Sequence, residues 1–368
     1  MKPEHVAVLG AGGFIGSHLV PALVAARGDE RFELTAVDVT FEKLEVDDRR
    51  VRVVQAPIGA PGLLDEITAR ATTVVSLTAL CNPSLYNTRP LEVIDASYTD
   101  LVPLVKLCAA RGVRLVHFST CEVYGRRALD AEGRPTATMN EETTGMFFGP
   151  VERERWTYAC AKQLLERVIW AHGAHGELDF TIVRPFNVIG PRMDFVPGVD
   201  GDGVPRVLAS FMSALLRGEA LSLVDGGARR RSFIAIADFV EAVVRILDRP
   251  SVCRRQILNL GNPENEVSMR ELGHALAAAY HAHVPAASPA RFRAVTADEL
   301  YGAGYDDSIE RIPDVSKARR LLGWRAETTL AEMLPGIVGD YVARYAAAIA
   351  LERRAGAGHA APGRSSAS

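Results

Sequence analysis

Val6-Ala7-Val8-Leu9-Gly10-Ala11-Gly12-Gly13-Phe14-Ile15-Gly16 is the stretch whose reading sets the fold. A short apolar run that stops at a glycine reads as a buried parallel strand. The glycines turn the chain into a helix expected to run to Ala26 and close at Gly28. Pro21 lies inside that helix and should kink it, because proline removes a backbone donor. Leu34-Thr35-Ala36-Val37 reads as a second strand, ending in Asp38. Strand, glycine turn, helix and a strand closed by an acid form one dinucleotide-binding unit. Gly10 and Gly13 let the backbone approach a pyrophosphate, and Gly16 lets helix and strand pack closely. Phe14 and Ile15 open the helix, whose free N–H groups face the phosphates. Asp38 can accept both adenosine ribose hydroxyls and would repel a 2′-phosphate. No Arg or Lys follows it directly, so the expected cofactor is NAD rather than NADP.

The same alternation continues. Val51 to Val54, Thr73 to Leu77, Leu115 to Ser119 and Phe180 to Arg184 read as further strands, with one helix from about Pro90 to Arg111 and another through Tyr158. This is an α/β pattern: a doubly wound parallel sheet of Rossmann type, with a smaller C-terminal substrate domain. Ligands bind such sheets beyond the carboxyl ends of the strands. Leu77-Thr78-Ala79, Thr120-Cys121-Glu122 and Arg184-Pro185-Phe186-Asn187 fall there, and the first three join the cofactor-binding set. The expected division is residues 1–184 for NAD, joined by part of 229–262. Residues 185–228 and 263–350 are assigned to the second partner, and 353–368 to a disordered tail. Met193 to Arg206, rich in Gly, Pro and Asp, reads as a long loop and a candidate lid. Ser268-Met269-Arg270-Glu271 is a capping box opening a helix.

Of 368 residues, 48% are apolar and the net charge is −3. That balance gives no reason to expect nucleic acid or an anionic membrane as partner, and no apolar run reaches the ~20 residues that span a bilayer. The chain enters a strand at once, without a secretory leader. Cys81, Cys108, Cys121, Cys160 and Cys253 are scattered and odd in number. Neither a disulfide framework nor a metal site is expected, and a reducing cytoplasm fits.

Trp156-Thr157-Tyr158-Ala159-Cys160-Ala161-Lys162 places Tyr158 and Lys162 four residues apart on one helix face. A phenol is a poor base near neutrality, and an adjacent ammonium favours its ionised form. Thr120, at the end of a strand, can hydrogen-bond the oxygen that Tyr158 deprotonates. Glycine loop, Asp38, Thr120 and Tyr-x-x-x-Lys together resemble the extended short-chain dehydrogenase/reductase superfamily. That resemblance implies a catalytic set of Thr120, Tyr158 and Lys162. Asp314-Val315-Ser316-Lys317-Ala318 through Leu322-Gly323-Trp324 is similar to the closing motif of its nucleotide-sugar members.

A narrower resemblance rests on Tyr86-Asn87-Thr88-Arg89-Pro90-Leu91, Phe118 to Gly125, Arg155 to Gln163, Gly190 to Phe195 and Gly304-Tyr305-Asp306-Asp307. These look like the UDP-apiose/UDP-xylose synthases, close to the UDP-glucuronate decarboxylases, which usually have Ser at the position of Cys121. The resemblance implies UDP-glucuronic acid as substrate, oxidation at C4, loss of CO₂, ring contraction and re-reduction to UDP-apiose and UDP-xylose. It implies Glu122 and Arg311 at the substrate carboxylate, Cys81 and Cys121 at ring opening and closure, and Arg155, Arg184, Asn187, Arg231 and Asp307 as substrate-binding residues. It also implies a homodimer through the helices near 90–111 and 152–172. Ser97 stands where the family often has Asn, and Val188 where it usually has Trp. The rival enzyme readings are a decarboxylase stopping at UDP-xylose or the UDP-4-keto-pentose, and another NAD-dependent nucleotide-sugar epimerase or dehydratase. From a different class comes a catalytically dead NAD-binding scaffold, against which the retained Tyr158 and Lys162 argue.

Overall fold

The computed structural model describes residues 4–28, 31–126, 134, 136, 138–301, 308 and 310–358. Its frame is a seven-stranded sheet of β1 (Glu4–Leu9), β2 (Phe32–Asp38), β3 (Val51–Gln55), β4 (Thr73–Ser76), β5 (Arg114–Phe118), β6 (Phe180–Pro185) and β7 (Gln256–Leu260). The spatial order is β3-β2-β1-β4-β5-β6-β7, and every neighbouring pair is parallel. The winding reverses between β1 and β4, so a crevice opens where their carboxyl ends part. Six strands follow the sequence reading. The seventh carries Gln256 and Asn259 among its apolar residues, which breaks the continuous run that marks the others.

Alternation along each strand fills two layers. Val6, Val8, Val116 and Val183 pack beneath the helices Phe14–Ala26 and Ile236–Asp248. Ala7, Leu9, Leu115 and Ile182 pack beneath Leu63–Arg70, Val102–Arg111 and Thr157–Ala174. Each such Val or Leu, fully buried, contributes ~1.5–3 kcal/mol. A further core joins Val207–Arg217, Met269–His283 and Leu330–Gly358.

The first helix runs Phe14–Ala26 with Pro21 inside it, ending at Ala26 as expected. Other local expectations change. The helix expected from Pro90 to Arg111 is two helices, Pro90–Ser97 and Val102–Arg111, parted at Tyr98 (φ −138°). Pro103 explains the break, since it has no N–H and its ring collides with the preceding turn of a continuous helix. The last helix runs to Gly358, past the start expected for a disordered tail, because Ala and Arg are strong helix formers. Residues 359–368 lie outside the described residues.

Met193 to Arg206 is fastened rather than loose. Met193 and Val196 are buried, Arg206 pairs with Asp194 at 3.2 Å, and Tyr345 donates to Asp200 at 2.6 Å. The capping box at Ser268 and Glu271 forms as expected. Among the described residues, no helix is long and apolar enough to cross a membrane.

Gly12 is the glycine that the sequence reading passed over. The segment after β2 lies directly on it, and a Cβ there would sit 1.8 Å from the Thr40 carbonyl oxygen. Gly12→Ala should therefore destabilise the protein by ~1–3 kcal/mol, as overpacking does. Thermal unfolding of cofactor-free protein reads this directly. An unchanged melting temperature would contradict it.

Candidate active site

The glycine loop forms one end of the site. Gly10 has φ +84°, a conformation that side chains resist. A Cβ on Gly16 would lie 2.5 Å from the carbonyl oxygens of Gly10 and Ala11. Gly13 differs: its Cβ would meet only Gly10 O, at an ordinary 3.5 Å. Protein packing does not demand glycine there, whereas a pyrophosphate seated on the loop would. Gly13 caps the helix Phe14–Ala26 without a side-chain acceptor, and the first turn has no acid. Asp38 takes the Gly12 N–H on one oxygen (2.9 Å) and the Val39 N–H on the other (2.7 Å). Both oxygens are thereby oriented and keep lone pairs for hydroxyl donors. These features fit NAD.

From that end a cavity of about 880 Å³ runs past Leu77, Thr78, Ala79 and the catalytic set to Arg229, Arg231 and Arg293. This is the upper range of small-molecule sites. Lys162 sits at its middle and is almost fully buried. Its ammonium donates to the carbonyl oxygens of Phe118 (3.0 Å), the last residue of β5, and Thr78 (3.3 Å), just past β4. Burial pulls its pKa down to about 8, against smaller opposing effects of Cys81 and Glu166. Tyr158 is also buried and lies flat on Tyr86, with ring centroids 5.1 Å apart.

Here the sequence expectation is corrected. Burial pushes the Tyr158 phenol well above its ordinary range, and Cys81, Glu122 and Cys121 push the same way. Arg206 draws it the other way, and desolvation outweighs that pull. Thr120 accepts the Glu122 N–H at 3.2 Å, starting the short turn Cys121–Tyr124.

Beside this set, Arg155 grips Glu122 with two bonds of 2.6 and 3.0 Å, and Arg311 donates to it at 3.3 Å. Arg311 also donates to Ser308. All three charged groups are buried and line the cavity. Cys81 is exposed to the same space and Cys121 is buried in its wall. Burial pushes the Cys121 thiol up, with Arg311 drawing it part of the way back. Asn187 holds the positive φ of +35° and donates to Ser232 O at 2.8 Å. Arg231 is buried and donates to the carbonyls of Arg230 (2.7 Å) and Ser308 (2.8 Å).

Arg184 is a correction. It was expected at the substrate, but both it and Glu166 are buried away from the cavity, paired at 2.6 and 3.0 Å. An arginine on a strand end can face the packed layer as readily as the crevice. Asp307 lies outside the described residues. The sequence reading missed Tyr86, Arg206 and Arg293, which line the cavity. Tyr86 opens one of the motifs quoted for the resemblance and Arg206 ends the candidate lid, but neither motif spacing nor composition gave them, or Arg293, a place in the site; the fold does.

Residues 6–261 match the model of the NAD dependent epimerase/dehydratase family. The chain belongs to that family. It is 42% identical over 370 residues to UDP-D-apiose/UDP-D-xylose synthase 2 of Arabidopsis thaliana, covering 95% of this chain and 94% of that one. Among solved structures it is similar to the PbgP3 protein of Burkholderia pseudomallei, with a TM-score of 0.81 and 29% identity over 95% of this chain and 99% of the other. It is also similar to MoeE5 in complex with UDP-glucuronic acid and NAD, with a TM-score of 0.70 and 26% identity over 92% and 99%. This family member is thus an NAD-dependent enzyme.

The buried Lys162 makes stability depend on pH. An unfolded lysine keeps its proton to near the ordinary 10.5, but the folded one loses it above about 8. Between those values the unfolded chain binds more protons, so this group's contribution to stability rises with pH. Below about 8 the full cost of burying the ammonium is present. Relative to Lys162→Met, the cofactor-free protein should gain ~2–3 kcal/mol between pH 7 and 10.5. Denaturant unfolding of both proteins across that range checks this, and a difference flat in pH would contradict it.

Proposed function

We propose that this enzyme converts UDP-glucuronic acid to UDP-apiose and UDP-xylose. The observation that carries the reading is one cavity lined together by Thr120, Tyr158, Lys162, Cys81, Cys121, Glu122, Arg155 and Arg311. NAD would be held by Gly10, Gly13, Phe14, Ile15, Gly16, Asp38, Leu77, Thr78 and Ala79, and when bound it supplies a hydride acceptor at C4 and a donor for the final reduction. Arg231 and Asn187 lie toward the far end, where the UDP would sit; Asp307 carries its substrate role from the family resemblance alone.

Tyr158 takes the proton from the C4 hydroxyl, with Thr120 orienting that oxygen. Lys162 stabilises the ionised tyrosine. The oxidised sugar is a β-keto acid. Its C5–C6 bond breaks, CO₂ leaves with the carboxyl carbon, the electron pair moves into an enolate, and C5 takes up one proton. Arg155 and Arg311 place two guanidinium groups against the single carboxylate of Glu122. A guanidinium fork at this place can hold the substrate carboxylate in the plane its departure requires.

In ring contraction the C2 hydroxyl loses its proton and C2–C3 breaks to a C2 aldehyde and a C3–C4 enediolate. The C4 oxygen then takes a proton as the C3 hydroxyl gives one up, C4 adds to C2, the C2 oxygen regains its proton, and C3 is left as the aldehyde that the final reduction takes. Cys121, whose thiol burial keeps protonated at neutral pH, can give the C4 oxygen its proton, and Cys81 faces the same space. The chain is further proposed to act in the cytoplasm, with its five cysteines free. A homodimer through the helices Pro90–Ser97 and Thr157–Ala174 would cover Leu91, Leu164 and Trp170, which are 73%, 46% and 49% exposed.

Incubation with UDP-glucuronic acid and NAD, followed by NMR of the products, should give branched and unbranched pentoses together with CO₂. Cys121→Ser should keep CO₂ release and shift the products to UDP-xylose or the UDP-4-keto-pentose; Cys81→Ser should act in the same direction. Native protein that makes only unbranched product would leave a decarboxylase. Variants that keep the native ratio would leave the cysteines as packing residues.

A further inference from the structure

Tyr86 belongs to the six-residue helix Pro83–Thr88, just after the turn that carries Thr78, Ala79 and Cys81. It is 1% exposed. One contact is with Tyr158: the rings are 5.1 Å apart between centroids and tilted by only 12°. Another is with Arg155, whose guanidinium carbon stands 5.3 Å from the Tyr86 centroid. Both geometries are attractive, the first as an offset stack and the second as a cation over a π face. Val93 completes the cluster, with Ala79, Leu80 and Leu85 packed around it.

The two partners of Tyr86 share one backbone segment. Arg155 lies in the turn Glu154–Trp156, and Tyr158 in the first turn of the helix that follows. No side chain caps that helix start. A helix start without a cap frays readily. Side-chain contacts from outside the helix then help to fix both residues: Tyr86 against Tyr158, and Tyr86 together with Glu122 against Arg155.

We infer that Tyr86 is a positioning residue: its ring sets the plane of Tyr158 and the fork of Arg155. The proton-accepting group and the carboxylate-holding group are thereby kept in one register. The inference rests on the proposed reading of the cavity and adds a residue to it. The ring is what acts, through area and flatness. Tyr86→Phe keeps that ring, while Tyr86→Leu keeps apolar bulk but removes the stack and the π face.

The test compares kcat and KM for CO₂ release from UDP-glucuronic acid, NAD affinity and melting temperature, and the crystal structure of each variant. Tyr86→Leu should lower kcat by about tenfold to a hundredfold, the scale of a sub-ångström to ångström misplacement. NAD affinity should stay within about threefold of native. Tyr86→Phe should restore kcat to within about threefold. In the crystal, Tyr158 should keep the native rotamer in Tyr86→Phe and leave it, or split, in Tyr86→Leu.

A Tyr86→Phe variant as slow as Tyr86→Leu would overturn the inference, because the hydroxyl would then be the working part. So would a Tyr86→Leu variant with native kcat and an undisturbed Tyr158. Should native protein fail to release CO₂, the proposed function falls, and the crystallographic comparison still decides the role of Tyr86.

Discussion

A single buried ammonium holds the site together. Lys162 reaches from its helix to the carbonyls of Thr78 and Phe118, just where β4 and β5 stop pairing. Burying a charge costs several kcal/mol unless its donors are satisfied, and strand-end carbonyls are the acceptors a doubly wound sheet leaves open. Helix Thr157–Ala174 is thus tied to two strands at the crevice where ligands bind. Tyr158, one turn earlier, is placed by the same tie. A shift of one residue in either strand end would strand the ammonium and move the phenol.

The charges around this anchor fall into two groups of like chemistry and unlike use. Arg184 and Glu166 pair inside the packed layer, behind the cavity wall, with the Arg184 guanidinium also over the Tyr124 ring. Glu122 faces two arginines, Arg155 and Arg311, in the cavity wall. The first arrangement cements the helix to β6. The second joins its charges in the wall of the cavity, within reach of a bound ligand.

Much of this was legible in the chain. The glycine turn, Asp38 and Tyr-x-x-x-Lys are local patterns whose spacing carries their geometry, so six strands and the NAD end of the cavity follow from them. What escaped depended on contacts distant in sequence. Gly12 is constrained by Thr40, Tyr86 by Tyr158 and Arg155, and Arg184 by Glu166. The upward shift of Tyr158 is hidden from the sequence for a related reason: helix spacing reveals the ammonium one turn away, but not how deeply the phenol is buried.

The central claim is that Tyr158, placed by Lys162, removes the C4 proton of UDP-glucuronic acid. Tyr158→Phe keeps the ring and its stack on Tyr86 and deletes only the acid–base oxygen. The most direct measurement is CO₂ release by this variant beside the native protein, with NAD affinity measured on both. The account predicts a loss of at least ~10² in turnover with NAD binding retained. Near-native CO₂ release from the variant would contradict it.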